Sequence, residues 1–524
     1  MTTHVLIGIG GTGAKVVESA LYLFLAGLGP SNVVVGLVDQ DNANGNVERT
    51  RTLLADIGRV RAEWGAPGGN ALDWTSAEAD GGSVFARINP EPMFPGTPHW
   101  RPNADDLRTL SEILDRPNLS DDHKDLMDIL FAPGPEEQDM VLDKGYRGRA
   151  HIGSAAMLAS LELEGGVFKD RIQELMNQAK IDQDVRIFLV GSVFGGTGAA
   201  GFPTLSRAIN KMREAMGPDA AEHIHIGGAL MLPYFGFADP KDKDANVVRA
   251  TELMPQARVA LEYYHRLFEH ERVFDRFSVA GWDRFFQLGY HEPGNREQRN
   301  PALLPELLGA TAAVEFFTAP PSARPTKVPV MVSARYSQDS FEWRDLPQPS
   351  PDLRRTVYDR LGRLLRTAAH WRMIIEPELD KRVRDNNLKT AWMRDLVADT
   401  NFQVGTPEAR KHLAALCNDV LVWAASIRKL KGSLKLDLWD TEDLLAKEHQ
   451  ATPSNPVGVH ATMASDAFSE AYAKLLTPSD ANDKPRTTQA LYDELSERKK
   501  RAPIGGNKGL AKLLAAVHRA TRPF

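Results

Sequence analysis

The chain has 524 residues, of which 42% are hydrophobic and 25% charged, the balance of a folded globular protein with enough length for two or three domains. Its formal net charge of −6 gives no basic field to attract nucleic acid or an anionic membrane. A single cysteine, Cys417, excludes an intrachain disulfide and a cysteine-built zinc cluster. With no basic leader and no run near the ~18 apolar residues of a membrane span, a cytoplasmic chain is expected.

The first 60 residues read as strand 4–8, helix 12–26 and strand 33–38, closing on Asp39-Gln-Asp41-Asn42. The second strand is almost wholly apolar, as a parallel strand covered on both faces should be. Residues 61–105 lack clear periodicity and read as an irregular insertion around a short helix, after which 105–132 carries Leu107, Leu110, Ile113 and Leu114 at helical spacing. A glycine–arginine loop, Gly145-Tyr-Arg147-Gly148-Arg149-Ala-His151-Ile-Gly153, precedes a helix at 154–178.

Next comes the most informative stretch. Val185 to Phe194 is a hydrophobic run that delivers the chain into Gly195-Gly-Thr-Gly-Ala-Ala-Gly201 and a helix to about 216. Strand Ile224–Leu232 follows, ending in Pro233-Tyr-Phe, then a helix at 246–269, a short strand Phe277–Ala280 and an apolar helix at 301–317. Strands alternating with helices in this way predict an α/β domain with a mostly parallel sheet over residues 1–325. From 326 to 524 two short strands, Val328–Val332 and Ser340–Trp343, give way to helices at about 351–373, 376–400, 406–430, 441–449, 457–476, 486–500 and 508–521, a largely helical C-terminal domain. The run Arg498-Lys-Lys-Arg501 reads as a solvated helix end.

Two glycine loops follow strands and open helices, Gly8-Ile-Gly10-Gly-Thr-Gly13 and Gly195 to Gly201. This arrangement aims backbone N–H groups and a helix N-terminus at a phosphate chain. The first loop alone satisfies GxGxxG, with Asp39 near the position of a ribose-binding acid, so a dinucleotide-binding oxidoreductase is one reading. That reading leaves the second loop unexplained. A P-loop fails because Lys15 is not adjacent to Gly13 and no Ser or Thr follows it.

Gly-Gly-Thr-Gly-Ala-Ala-Gly at 195–201 resembles the GGTGxxG phosphate loop of the tubulin and FtsZ superfamily, and the order of elements agrees over roughly residues 3–320. The resemblance implies GTP or GDP with Mg2+. It assigns phosphate contacts to Gly10, Gly11, Thr12, Gly13, Gly195, Gly196, Thr197 and Gly198, and a γ-phosphate loop to Gly148 and Arg149. It also brings Asp39, Asp41 and Asn42 to the nucleotide's phosphates and magnesium, with Asp39 and Asp41 holding the metal directly or through water. Ribose and base contacts fall to Arg249 and Asn300. The residues themselves leave alternatives open: Asp39 and Asp41 suit turn capping, Arg147 and Arg149 suit a solvated surface, and Asn300 before Pro301 suits a helix N-cap.

The departures are Arg147 and Arg149 in the glycine–arginine loop, third of the three loops here, and the missing acidic catalytic loop after the apolar helix at 301–317. Residues 318–326 are proline-rich and carry no carboxylate. The expectation is a nucleotide-regulated protein, self-assembling or bound to a partner through its C-terminal helices, with weak or partner-dependent hydrolysis. A non-hydrolysing scaffold and the oxidoreductase are the alternatives.

Overall fold

The computed structural model describes residues 2–64, 88–103, 108–143, 145–162, 166–237, 253–281, 286–288, 300–319, 340–346, 351–379, 407–428, 435–445, 459–460, 463, 465–479, 483, 485–496 and 510–521. Strand β1 (Thr3–Ile9) runs into α1 (Gly10–Leu25) and returns as β2 (Asn32–Val38). Then come α2 (Gly45–Trp64), β3 (Asn89–Pro92), β4 (His99–Trp100), α3 (Leu110–Ile113), α4 (Asp121–Leu130), α5 (Ala150–Glu162) and α6 (Val167–Met176). The second half of the sheet is built by β5 (Val185–Ser192), α7 (Gly196–Ala215), α8 (Pro218–Ala221), β6 (Ile224–Met231), β7 (Phe235–Phe237), α9 (Leu253–His270), β8 (Arg276–Ala280), β9 (Phe286–Leu288) and α10 (Leu304–Thr318).

The main sheet has the order β3-β2-β1-β5-β6-β8, with β4 also beside β2, and every pairing is parallel. Val5 of β1 stands between Val34 and Ile187, so two largely apolar, buried strands flank the first. β7 and β9 form a separate parallel pair. The chain is thus an α/β protein with a mostly parallel sheet.

Neighbouring residues of a strand point to opposite faces, and β6 shows what covers each. A Cβ on Gly227 would meet Phe316 of α10, whereas one on Gly228 would meet Phe202 of α7 and Phe274. On the α10 face, Gly309 lies against Val16 of α1. Helices α1 and α10 therefore cover one face and α7 the other. This is the result of right-handed crossovers that leave the sheet centre in opposite directions, β1 to β2 and β5 to β6. Between β1 and β5 the direction of winding reverses, and at such a point sheets of this kind form a crevice beyond the carboxyl ends of the strands.

Several expectations are corrected. A helix of 20 residues, Gly45–Trp64, occupies a stretch left unassigned and runs into the first four residues of the segment read as irregular. Residues 65–87 lie outside the described residues, and 89–100 contributes two short strands to the sheet. The helix expected over 105–132 is broken into α3 and α4 because Asp115 takes φ 52 and Pro117 follows. The helix expected over 154–178 is two helices, and Gly166 at φ 62 starts the second. The helix expected from 301 begins at Leu304, with Pro305 in its first turn, so Asn300 is not its N-cap. The Leu303 N–H instead reaches Glu306 Oε2 at 2.8 Å.

The expected strand Val328–Val332, the helix 376–400 beyond 379, the charge run 498–501 and the division at 325/326 lie outside the described residues. Beyond them, β10 (Ser340–Glu342) pairs with β11 (Lys435–Asp437). The α-helices described in this part are α11 (Pro351–His370), α12 (Pro407–Arg428), α13 (Ser465–Lys474), α14 (Thr488–Ser496) and α15 (Leu510–Ala520). α11 runs on into a wider π turn at Trp371–Ile375. Trp423 of α12 donates its indole N–H to Ser19 Oγ of α1 at 3.0 Å and lies against Tyr22, with ring centroids 4.9 Å apart. One continuous hydrophobic core thus spans β1 to α15.

Candidate functional site

Helices α1 and α7 begin at the winding reversal, and neither N-terminus is capped by a side chain or carries an acidic residue in its first turn. Leading N–H groups of a helix have no partner within the helix, and the aligned peptide dipoles leave that end positive. Glycine permits the approach of the two loops. Gly10 adopts φ +73, and a Cβ on it would stand 2.9 Å from the backbone nitrogen of Gly198. Gly195 adopts φ 79 and ψ 170, a conformation open essentially to glycine, and a Cβ there would meet nothing within 4 Å. The loops touch each other and face open space.

The third loop closes on the second. A Cβ on Gly196 would lie 3.0 Å from Tyr146 and 3.1 Å from the nitrogen of Gly148, and one on Gly145 would lie 3.6 Å from the Asp41 Cβ. Arg147 and Gly148 are both left-handed, at φ 45 and φ 80, which turns the backbone sharply before α5.

Asp39 is the hub of the acidic loop. Its Oδ1 accepts from Thr197 Oγ1 at 2.9 Å and from the Asp41 N–H at 3.1 Å, and its Oδ2 accepts from Asn44 Nδ2 at 2.9 Å. Burial, with the Asp41 charge second, pushes its carboxyl up to about 7. Asp41 Oδ1 accepts from the Ala43 N–H at 2.9 Å, so both acids cap the local turn and sit at the crevice. Asn42 is exposed. The Asp39 carbonyl accepts from His99 Nε2 at 2.9 Å, and burial lowers the His99 pKa. That favours a neutral ring that carries its proton on Nε2.

A buried polar chain runs behind the first loop. The Thr12 hydroxyl hydrogen-bonds Tyr234, Tyr234 Oη donates to Glu306 Oε1 at 2.6 Å, and Glu306 pairs with the Lys15 ammonium. Lys15 and Glu306 are 2% and 0% exposed, which commits the lysine to α10 and not to the crevice. Burial lowers the Lys15 pKa, with Glu306 opposing.

The structure brings together Gly10 to Gly13, Asp39, Asp41, Gly145 to Gly148 and Gly195 to Gly198. Arg149 turns its guanidinium toward Glu137 at 3.6 Å. His151 also pairs with Glu137, at 2.9 Å, and stacks on Phe131. Asn300 is held through its backbone: its N–H reaches Asn46 Oδ1 at 3.1 Å, and its carbonyl accepts from Arg49 Nη1 at 2.6 Å. It therefore lies beside α2. Arg249 is outside the described residues. Sequence reading passed over Asn44 and Tyr146 inside loops it had noted, and missed His99 and Arg101 because the strand that delivers them is two residues long and leaves no periodicity to read.

Fold and site together define a doubly wound α/β protein with paired glycine loops at its winding reversal. No protein-family model matches the sequence, and no curated protein or solved structure matches it at a significant level. Among the described residues no helix is long and apolar enough to cross a membrane, and no cluster of His, Cys, Asp or Glu is built to hold a metal by itself.

Proposed function

We propose that this chain binds a guanine nucleotide, GTP or GDP, in the manner of the tubulin and FtsZ superfamily, and that the nucleotide sets its conformational or assembly state. The observation that carries this reading is the meeting of two uncapped helix N-termini at Gly10 and Gly198. An anion placed there gains N–H donors and positive dipole ends from both helices at once. An oxidoreductase using the first fingerprint alone leaves the contact with the second loop without a purpose.

In this reading the α- and β-phosphates lie against Gly10 to Gly13 and Gly195 to Gly198. The backbone of Gly145 to Gly148 covers the outer end of the tail. Magnesium fits the loop through Asp41 and water, since such sites use one or two carboxylates plus phosphate oxygens. Asp39 already accepts three hydrogen bonds from the protein and serves to orient Asp41 and Thr197. Magnesium would neutralise phosphate charge. Hydrolysis, which rests on positioning and charge stabilisation, is weak in the isolated chain and depends on a carboxylate from a partner or second copy.

The docking of α12 on α1 favours a second reading, in which the chain is a non-hydrolysing scaffold whose C-terminal helices report nucleotide state. Denaturing the purified protein and resolving released nucleotide by ion exchange tests the main proposal. Gly10→Asp and Gly196→Asp should each abolish the guanine nucleotide. Retention of a bound dinucleotide by Gly196→Asp would favour the oxidoreductase. Phosphate release that is fast and independent of protein concentration would remove the claim of weak turnover.

A further inference from the structure

Among the described residues around the three loops, several cations pair with acids. Lys15 pairs with Glu306, Arg49 with Glu18, Arg147 with Asp143 and Arg149 with Glu137. Arg101 differs in its placement. It follows β4, whose parallel register with β2 (Leu37 beside His99, Val38 beside Trp100) brings it level with Asp39 at the carboxyl edge of the sheet, where the glycine loops emerge.

Hydrogen bonds hold this segment against the acidic loop. The Asp39 N–H donates to the Trp100 carbonyl at 3.3 Å, and Arg101 Nε donates to the Gln40 carbonyl at 3.4 Å. The Gln40 amide donates to the Asn103 carbonyl at 2.8 Å and accepts from the Asn103 N–H at 2.9 Å. Tyr146 Oη of the third loop donates to Asn103 Oδ1 at 3.1 Å. Arg101 thus sits between the acidic loop and the third glycine loop. Partial burial lowers its pKa, with Asp41 and then Tyr146 as the opposing neighbours.

We infer that Arg101 is the side-chain cation for the terminal phosphate of a bound nucleoside triphosphate; this rests on the nucleotide reading above. The inner phosphates are met by backbone at the α1 and α7 N-termini. In that reading a third phosphate brings further negative charge to the Asp41 side of the site, beyond what magnesium held through Asp41 would offset alone. A planar guanidinium with five donors serves both an acid and a phosphate oxygen. Arg101 therefore sets preference for three phosphates over two.

The test is titration calorimetry of the full chain with Mg2+ against GTP and GDP, for the wild type, Arg101→Gln and Arg101→Lys. Loss of one charge-assisted contact predicts that Arg101→Gln weakens GTP by about 10- to 100-fold and GDP by less than about threefold. Arg101→Lys should restore part of the preference, keeping charge without the fork. An unchanged GTP-to-GDP ratio in Arg101→Gln overturns the assignment while leaving the nucleotide reading intact. A wild-type chain that binds neither nucleotide overturns both.

Discussion

Thr197 donates its hydroxyl hydrogen to Asp39 Oδ1 at 2.9 Å, joining residues 158 apart in sequence across the winding reversal of the sheet. Thr197 is 7% exposed and Asp39 2%, so the bond lies away from bulk water. Replacing Thr197 by Val keeps the shape and removes a donor from a buried carboxylate. Unfolding by urea should show a loss of about 1–3 kcal/mol for Thr197→Val, with Thr197→Ser near the wild type. Equal stability of all three would mean that the hydroxyl carries no weight.

Gly10 and Gly195 separate two kinds of constraint. Alanine at Gly195 meets open space but must adopt a glycine-only conformation, which costs about 1–3 kcal/mol in strain. Alanine at Gly10 adds a 2.9 Å clash with the backbone of Gly198 to a left-handed strain. Thermal melts should therefore rank Gly10→Ala below Gly195→Ala. The reverse order would contradict the close approach of the loops.

Lys15 and Glu306 form a buried pair behind the first loop. Lys15→Met alone leaves an unpaired carboxylate and should cost about 3–5 kcal/mol. Adding Glu306→Gln removes that charge and keeps an acceptor for Tyr234, while its amide nitrogen replaces the oxygen that accepts from the Leu303 N–H. The double variant should recover part of the loss in a denaturant double-mutant cycle. Simple additivity would show that the pair is not coupled.

Asp419 of α12 gives a pH dependence of definite sign. Burial first, then Asp56 and Glu18 on the helices beneath it, lift its carboxyl from 3.8 to about 7. The folded state therefore binds the proton more tightly than the unfolded one. Its contribution to stability is favourable relative to an ionised Asp419 below about pH 7, and stability falls as pH rises from about 4 to about 7. The ceiling on the change is about 4 kcal/mol, and with partial solvent access about 1–2 kcal/mol should be measured. Asp419→Asn should flatten this slope in melts from pH 4 to 8; an unaltered slope would place the titration elsewhere.

The legible parts of the fold were those whose physics is local. β1, β2, β5 and β6 are near-continuous apolar runs because both faces of the sheet are covered. The two glycine loops stood out for the same reason, as breaks between apolar runs. β3 was not legible: Asn89-Pro-Glu-Pro92 carries two prolines, which an edge strand tolerates and a reader takes for a loop. α2 was hidden by its charge, with arginines and glutamates spread over most of its turns. The site repeats this division. Its glycines and Asp39 were read from sequence, whereas His99 and Arg101 reach it through a two-residue strand whose partner is 62 positions away, Leu37 beside His99.

The bare contact between Gly10 and Gly198 has a mechanical consequence. It pins α1 and α7, which lie on opposite faces, at a point with no side chain to rotate aside. A wedge that parted the loops would shear both helices against the sheet, because close-packed layers transmit displacement instead of absorbing it. α12 rides on α1 through Trp423, Ser19 and Tyr22. A push at the crevice would therefore reach the far helices as one tilting lever.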